Sequence, residues 1–205
     1  MSENKKDEAP DLDFKIENVV GTVTVDIEGR LDLVKIAKNL PDVEYNPERF
    51  PGIILRIDKP KATFLIFSTG KMVITGLRKA IEAEKAVAKA VKKIKGAGIK
   101  ISNPQVKIVN IVASGDLHVA IDLNAATILM EYAMYEPEVF PGLIYRIQDP
   151  KSVFLIFSTG KIVCTGVKDE ETAKRAVLKL YKQIQDLNLT KRGEYEEEFQ
   201  DLTFI

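Results

Sequence analysis

The stretch YNPERFPGIILRIDKPKATFLIFSTGKMVITG, residues 45–76, decides the fold because the chain contains it twice. The second copy, YEPEVFPGLIYRIQDPKSVFLIFSTGKIVCTG, spans residues 135–166, and the two copies are identical at 22 of 32 positions with an offset of 90. Two long copies are too few for a solenoid, and each is too long for a propeller blade or a hairpin repeat. We therefore predict a duplicated half-domain whose two halves are related by a pseudo-twofold axis.

The remaining sequence extends this repeat and adds a charged segment at each end. We predict a flexible acidic N-terminal arm at 1–13, a first repeat at 14–98, a second repeat at 99–190 and an acidic C-terminal tail at 191–205. The whole chain has 30 basic and 30 acidic side chains, so its formal net charge is zero. Each end segment holds two basic and five acidic side chains, which leaves residues 14–190 with a net charge of +6. The neutral total therefore hides a basic body.

The composition excludes several classes of protein. Cys164 is the only cysteine and His118 the only histidine, which leaves no disulfide framework, no thiolate metal cluster and no Cys–His dyad. No stretch free of charged side chains exceeds nine residues, and no apolar leader follows Met1. We expect a soluble cytoplasmic protein that is not an enzyme and has no catalytic residue, no metal site and no cofactor.

Each repeat has the pattern of a strand, a short helix, several strands and a long helix. Alternating side chains predict the first strand at residues 14–27. Apolar residues spaced by three and four predict the long helices after residues 80 and 170. Short helices are predicted at 31–40 and 123–134, and the other strands of the first repeat at 53–57, 63–67 and 71–75.

The predicted strands carry apolar side chains on both faces. Alternation in the first repeat places Phe64, Ile66, Met72 and Ile74 on one face and Leu65, Phe67, Val73 and Thr75 on the other. Two long and two short helices suffice for only one face of a sheet of roughly ten strands. The second face is either core in a sandwich or a homodimer, or a binding surface for another molecule.

Polar and basic residues favour the binding surface. Asn is a poor strand former that needs a hydrogen-bond partner, yet it occupies the same mid-strand position in both repeats. Hydroxyls and cations recur in matched pairs on the same strands or at their margins. The matched pairs are Asn18 with Asn110, Thr75 with Thr165, Arg56 with Arg146 and Lys71 with Lys161. An apolar centre with cationic edges fits the minor groove of duplex DNA, whose A·T pairs offer only acceptors to Asn and Thr.

Several runs resemble the TATA-box-binding protein family. These runs are Tyr45–Phe50, Leu65–Phe67 and Gly70–Gly76 in the first repeat, with Tyr135–Arg146 and Leu155–Phe157 in the second. The resemblance covers residues 14–187, and the short arm and acidic tail are similar to the archaeal branch. It implies an α+β saddle, with a curved antiparallel sheet and helices on its convex face. It also implies a general transcription initiation factor that binds TATA-box promoter DNA in the minor groove, kinks it and recruits transcription factor B and, indirectly, RNA polymerase.

The resemblance assigns roles to individual side chains. The intercalating wedges would be Phe50, Phe67, Phe140 and Phe157. The contacts to base edges would be Asn18, Asn110, Thr75 and Thr165. The groove floor would be lined by Val20, Leu65, Val73, Val112, Leu155 and Val163. The phosphate contacts would be Arg56, Lys71, Arg146 and Lys161. Glu136 and Glu138 would lie in the loop that binds transcription factor B.

Two other classes of function remain open from the sequence. One is a small-molecule or peptide carrier that uses the curved sheet as a tray. The other is a repair-type nucleic-acid-binding protein that shares the half-fold. The resemblance implies a nucleoid-associated monomer on DNA, with a dimer in the absence of DNA left open.

Overall fold

The computed structural model describes residues 13–191, which form ten strands and four α-helices. The predicted arm and tail therefore lie outside the described residues, apart from Asp13 and Lys191. The elements of the first copy are β1 (Asp13–Asp26), α1 (Leu33–Asn39), β2 (Val43–Tyr45), β3 (Gly52–Asp58), β4 (Lys61–Phe67), β5 (Met72–Leu77) and α2 (Ala83–Gly96), with a 3₁₀ turn at Ala80–Glu82 before α2. Those of the second are β6 (Ser102–Asp116), α3 (Leu123–Leu129), β7 (Ala133–Met134), β8 (Leu143–Gln148), β9 (Lys151–Ile156), β10 (Lys161–Val167) and α4 (Glu170–Asp186).

Hydrogen bonding orders the strands β2-β3-β4-β5-β1-β6-β10-β9-β8-β7. The strand order of the first copy is thus repeated in reverse by the second, as a duplicated half-domain requires. The chain divides into two compact units. The first unit comprises residues 16–112 and 166–170, and the described part of the second unit comprises 13–15, 113–165 and 171–191.

The core of the first unit lies between one face of its strands and helix α2. Phe64, Ile66 and Ile74 are fully buried, and Met72 is nearly so. Helix α2 packs on β3 and β4 and buries a stripe of small and branched side chains, Ala83, Ala86, Val87, Ala90, Val91 and Ile94. The predicted division of the strand residues between two faces is confirmed, since Leu65, Phe67, Val73 and Thr75 keep partial exposure.

The second unit repeats this arrangement. Phe154, Ile156, Ile162 and Cys164 are buried on the corresponding face. Helix α4 lies over β8, where the Tyr145 hydroxyl donates a hydrogen bond to Gln183 Oε1 at 2.9 Å. The buried stripe of α4 is Ala173, Ala176, Val177, Leu180 and Ile184. No helix within residues 13–191 is long and apolar enough to cross a membrane.

Each of the two short helices begins with an aspartate as its N-cap residue. Asp32 caps α1 by accepting a hydrogen bond from the Lys35 N–H at 2.9 Å, and Asp122 caps α3 by accepting one from the Ala125 N–H at 3.0 Å. Both helices have seven residues.

The predicted helix at 123–134 is wrong in its second half. Helix α3 ends at Leu129, Met130 is already extended, and Tyr132 adopts a left-handed φ of 61°. Ala133 and Met134 instead form β7, which pairs with Tyr145 and Ile144 of β8. Pairing with the following strand, β8, therefore overrides the local helical pattern.

Candidate nucleic-acid interface

The partly exposed face of the first unit is a continuous apolar band across three strands. Leu65 pairs with Ile54 of β3 on one side and with Val73 of β5 on the other. Residues directly opposite each other in an antiparallel ladder point to the same face, so the three side chains are neighbours. Ile54 is an additional residue of this face that was not among the predicted site residues, although the alternation of β3 places it there.

The second unit carries the same band. Leu155 pairs with Ile144 of β8 and with Val163 of β10. All three side chains are partly exposed. The two units differ at the next cross-strand pair of residues on this face. Thr63 faces Thr75 in the first unit, whereas Val153 faces Thr165 in the second.

A pair of phenylalanine side chains lies at one end of each apolar band. The rings of Phe50 and Phe67 have centroids 5.5 Å apart and cross at 61°, while those of Phe140 and Phe157 are 5.9 Å apart and cross at 65°. All four rings are partly exposed. Edge-to-face contact holds the members of each pair against one another, so the loop residue and the strand residue act as one apolar projection.

Two short turns bring each pair together. In the loop between β2 and β3, the Phe50 N–H donates to the Asn46 carbonyl at 3.0 Å, and the Phe140 N–H donates to the Glu136 carbonyl at 2.9 Å in the second unit. In the hairpin between β4 and β5, Gly70 has a φ of 81° and donates its N–H to the Phe67 carbonyl at 3.0 Å. Glycine adopts this conformation without steric cost, and the turn leaves Phe67 at the tip of its strand.

A glycine next to each pair provides the space for the rings. A Cβ atom on Gly142 would lie 2.7 Å from Phe140 Cε1 and 3.1 Å from Phe157 Cε1. A Cβ atom on Gly52 would lie 2.9 Å from Phe50 Cε1, but also 2.8 Å from the backbone oxygen of Ile66. Gly142 therefore clears space for side chains, whereas Gly52 is also required by the sheet. In the sequence, each glycine is visible only as the second residue of a Pro-Gly pair, which is typical of a loop.

The mid-strand asparagines are held by the backbone of the neighbouring strand. Asn18 Oδ1 accepts a hydrogen bond from the Gly76 N–H at 2.8 Å, and its Nδ2 lies 3.1 Å from the Thr75 hydroxyl oxygen. The register between β1 and β5 shifts here, between Val19 and Gly21, and Gly76 has a φ of 90°. The asparagine thus satisfies an N–H that the irregular ladder leaves without a strand partner, and the bond fixes which end of its amide is the donor.

The second copy of this contact lies on β6. Asn110 Oδ1 accepts a hydrogen bond from the Gly166 N–H at 2.9 Å. Val20 and Val112 each lie two residues beyond their asparagine, on the same face and partly exposed. In each copy, a fixed amide donor is therefore followed along its strand by an apolar side chain.

The four basic residues predicted to contact phosphates, Arg56, Lys71, Arg146 and Lys161, are exposed. Arg56 forms an ion pair with Glu44 at 2.5 Å. Lys71, Arg146 and Lys161 have no side-chain partner among residues 13–191. By the alternation of their strands, Arg56, Arg146 and Lys161 lie on the same face as the apolar band, and Lys71 immediately precedes β5 in the same alternation. The chain offers no acid equivalent to Glu44 in the second copy, where Met134 occupies that position.

Glu136 and Glu138 are exposed in the loop before Phe140. Val139, between them and the wedge, is 80% exposed. The first copy has Asn46, Glu48 and Arg49 at the corresponding positions. The second loop is therefore both more acidic and more apolar than the first.

The described residues give little support to a metal site or to a reactive cysteine. No group of three or more His, Cys, Asp or Glu side chains within 13–191 is placed to hold a metal ion. Cys164 is 1% exposed, and burial raises the pKa of its thiol from 9.0 to about 12. A thiol of this kind is a poor nucleophile at neutral pH.

In this duplicated α+β fold, each copy has a partly exposed apolar sheet face bordered by cations, which is typical of a protein that binds another molecule through its sheet. Comparison with known protein families identifies the family to which the chain belongs. The sequence profile described as "Transcription factor TFIID (or TATA-binding protein, TBP)" matches residues 13–97 and again 105–187. The chain belongs to this family, and the predicted family and fold class are confirmed.

Individual relatives match the sequence of this chain over nearly its whole length. The TATA-box-binding protein of Pyrobaculum islandicum is 49% identical over 92% of this chain and 96% of its own length. That of Pyrococcus abyssi is 45% identical over 89% and 95%, respectively. Among solved structures, Methanococcus jannaschii TBP superposes with a TM-score of 0.75 at 44% identity, covering 85% of this chain and 99% of that one. These relatives confirm that the chain is of the archaeal type.

Proposed function

We propose that this chain is a general transcription factor that binds the minor groove of TATA-box promoter DNA and kinks it. The observation that carries the proposal is the repeated pair of partly exposed phenylalanines at the end of an apolar strand band, once in each unit. Membership of the TATA-binding protein family supports the choice of DNA as the ligand.

The apolar band accounts for a preference for A·T pairs. Leu65 and Val73 in the first unit, like Leu155 and Val163 in the second, offer no hydrogen-bond acceptor to the amino group of guanine. That amino group projects into the minor groove of G·C pairs, whereas A·T pairs present only the acceptors A N3 and T O2. A G·C pair against this band would therefore bury an unsatisfied donor.

The asparagines provide a directional contact within the band. Because Asn18 Oδ1 is occupied by the Gly76 N–H, its Nδ2 is the group available to DNA. One N–H of Nδ2 is directed toward the Thr75 hydroxyl, and the other can donate to A N3 or T O2. Asn110, whose oxygen is held by Gly166, would act in the same way. The Thr75 and Thr165 hydroxyls would add contacts to neighbouring base edges.

The phenylalanine pairs would act as wedges. Each pair would enter a base step, and apolar burial would offset the cost of unstacking; the TATA-box-binding family is itself the standard example of such kinking. Pairing of two rings makes the wedge broader than one side chain and limits the rotation of either ring. Val20 and Val112 would extend the floor between the wedges and the asparagines.

The exposed cations would contact phosphates. Lys71 and Lys161 follow the hairpin turns that carry Phe67 and Phe157, so they lie beside the wedges. Arg56 would exchange its ion pair with Glu44 for a phosphate, whereas Arg146 would contact phosphate without such an exchange. These contacts would make binding salt-dependent without making it sequence-specific.

The acidic loop of the second unit would bind transcription factor B, which in turn would recruit RNA polymerase. Its exposed carboxylates, Glu136 and Glu138, and the exposed Val139 supply a charged and apolar surface that the first unit lacks. This difference between the copies would help to orient the complex. We also propose that the chain acts in the cytoplasm, associated with the nucleoid, as a monomer on DNA.

A gel-shift experiment tests the proposal. A duplex with an AT-rich TATA sequence should bind more tightly than a GC duplex of equal length at raised salt. A carrier would bind neither tightly, and a repair-type protein would bind without preference for TATA. Equal affinity for both duplexes would refute the proposed function.

The wedge assignment has its own test. Phe157→Ala should reduce both DNA affinity and the bend measured by fluorescence energy transfer between labelled duplex ends. Ile81→Ala is a matched control, because Ile81 is 88% exposed and lies in the turn before α2 rather than on the sheet. An unchanged bend in Phe157→Ala would show that this residue is not a wedge.

A further inference from the structure

Arg30 lies beside the hairpin that carries the wedge residue Phe67 in the first unit. Its guanidinium Nη2 donates a hydrogen bond to the Ser68 hydroxyl oxygen at 2.8 Å, and the N–H of the next residue, Leu31, donates to the Ser68 carbonyl at 2.8 Å. The Phe67 N–H in turn donates to the Lys71 carbonyl at 3.0 Å. Arg30 and Lys71 are therefore neighbours of the same wedge, although only Lys71 belongs to the proposed phosphate contacts.

The guanidinium of Arg30 keeps most of its donors free. An arginine side chain carries five N–H donors, and the bond to Ser68 is the only side-chain hydrogen bond of Arg30 among residues 13–191. Of the two acids nearest to it in the sequence, Glu28 forms no ion pair with it in that range, and Asp32 caps α1 instead. The arginine side chain is also exposed. An exposed guanidinium with unused donors is suited to a phosphate group, whose oxygens can accept two parallel N–H bonds.

The second copy repeats the backbone contact of this loop but not the arginine. The N–H of Ile121 donates to the carbonyl of the hairpin serine, Ser158, at 2.8 Å. Ala120 occupies the position of Arg30 at the offset of 90, and its carbonyl accepts a hydrogen bond from the Lys191 N–H at 2.9 Å. No side chain in the described part of the chain donates to the Ser158 hydroxyl. The loop therefore adopts its contact with the hairpin without a guanidinium.

We propose that Arg30 contacts a DNA phosphate next to the base step that Phe67 enters, an inference that rests on the proposed function. A wedge inserted between two base pairs brings the backbone of that step beside the hairpin that carries the wedge. The bond to Ser68 holds the guanidinium at this place, and its remaining N–H groups donate to the phosphate oxygens. Because the second copy has alanine at this position, the two wedges are anchored differently in the two halves of the DNA site.

Fluorescence anisotropy with a labelled TATA duplex, measured over a series of salt concentrations, tests this proposal through Arg30→Ala. The variant should fold normally, because the second copy has alanine at this position. Loss of one phosphate contact should reduce the slope of log Kd against log salt by about 0.9. The same loss should raise Kd about eightfold at roughly 0.1 M salt, since the contribution of one contact scales with log salt and vanishes near 1 M. Arg30→Lys keeps a positive charge at this position and should retain the slope.

Arg175→Ala is the matched control. Arg175 of α4 is likewise exposed, and its Nη2 also donates to a side-chain hydroxyl, that of Thr172 at 3.4 Å. Both substitutions therefore remove one positive charge and one hydrogen bond of the same kind. Helix α4 covers the buried face of its strands, so Arg175→Ala should leave the slope unchanged.

Three results would overturn the assignment of Arg30. They are an unchanged slope in Arg30→Ala, an equal reduction in Arg30→Ala and Arg175→Ala, and a reduction in Arg30→Lys as large as that in Arg30→Ala. The proposed function is tested separately by the unsubstituted chain. If that chain prefers a TATA duplex to a GC duplex, any of these three results refutes only the contact of Arg30. Equal affinity of the unsubstituted chain for both duplexes would refute the proposed function, and this inference with it.

Discussion

Substituting Gly142 by alanine should impair DNA bending while leaving the fold intact. A new Cβ atom would lie 2.7 Å from Phe140 Cε1, whereas ordinary van der Waals contact begins at about 3.4 Å. The Phe140 ring must therefore move by about 0.7 Å, and Phe157, at 3.1 Å, must also give way. Both clashes involve outer ring atoms of side chains rather than backbone, so the strand itself need not shift.

The size of the effect follows from the contact that is disturbed. An edge-to-face aromatic pair contributes about 0.5 to 1.5 kcal/mol beyond the burial of its area. If the pair no longer enters the base step as one wedge, a loss of this order corresponds to roughly a two- to twelvefold increase in Kd. The bend angle should fall with the affinity, because the displaced pair fills the step less completely.

The assay compares duplex bending by fluorescence energy transfer with the free energy of unfolding in urea. Gly142→Ala should lower bending and change the unfolding free energy by less than about 1 kcal/mol. Gly52→Ala is the contrasting variant, since its Cβ would lie 2.8 Å from the backbone oxygen of Ile66, and it should destabilise the chain. Normal bending by a folded Gly142→Ala variant would refute the argument that ring clearance positions the wedge.

Three further predictions concern separate features. Glu136→Lys combined with Glu138→Lys should weaken recruitment of transcription factor B to a TATA complex in a supershift assay, with DNA affinity kept; unchanged recruitment would contradict the assigned role of this loop. Lys161→Ala should weaken binding to all duplexes alike and reduce the slope of log Kd against log salt by about 0.9, and an unaltered slope would remove Lys161 from the phosphate contacts. Burial raises the pKa of Cys164 from 9.0 to about 12, so the folded state keeps its proton longer than the unfolded state. The resulting stability is complete below pH 9 and is lost toward pH 12, with a slope of at most about 1.4 kcal/mol per pH unit. Cys164→Val should flatten this alkaline decline in urea unfolding, and an identical decline would assign it to other groups.

The repeat and its alternation predicted most of the architecture. Period-two patterns separate Phe64 and Ile66 from Leu65 and Phe67, and burial follows that division. Alternation is reliable here because side-chain direction in a strand is a local property of the backbone. The C-terminal half of the predicted helix at 123–134 failed because β7 forms by pairing with β8, an interaction that local propensity does not contain.

The residue types alone identify candidate site residues, but they do not show which of those residues lie together in space. Phe67 and Phe157 follow from strand parity, whereas Phe50 and Phe140 lie in loops and were identified only by family resemblance. Their contact with the strand phenylalanines depends on turns that bring residues 17 positions apart to within 5.5 Å and 5.9 Å between ring centroids. The role of Gly142 follows only from that contact.

By itself, the sequence determined the duplication, the two-faced strands and the family, because repeated motifs and short-range periodicity are written in the order of residues. The tertiary structure alone decided which end of the Asn18 amide faces outward, since Gly76 lies 58 residues away in the chain. It also decided that Lys59 and Lys92 line one cavity beside α2, whose charged lining residues are net positive, whereas the corresponding cavity beside α4 has a net negative lining. Donor direction and local potential arise from atoms that only folding brings together.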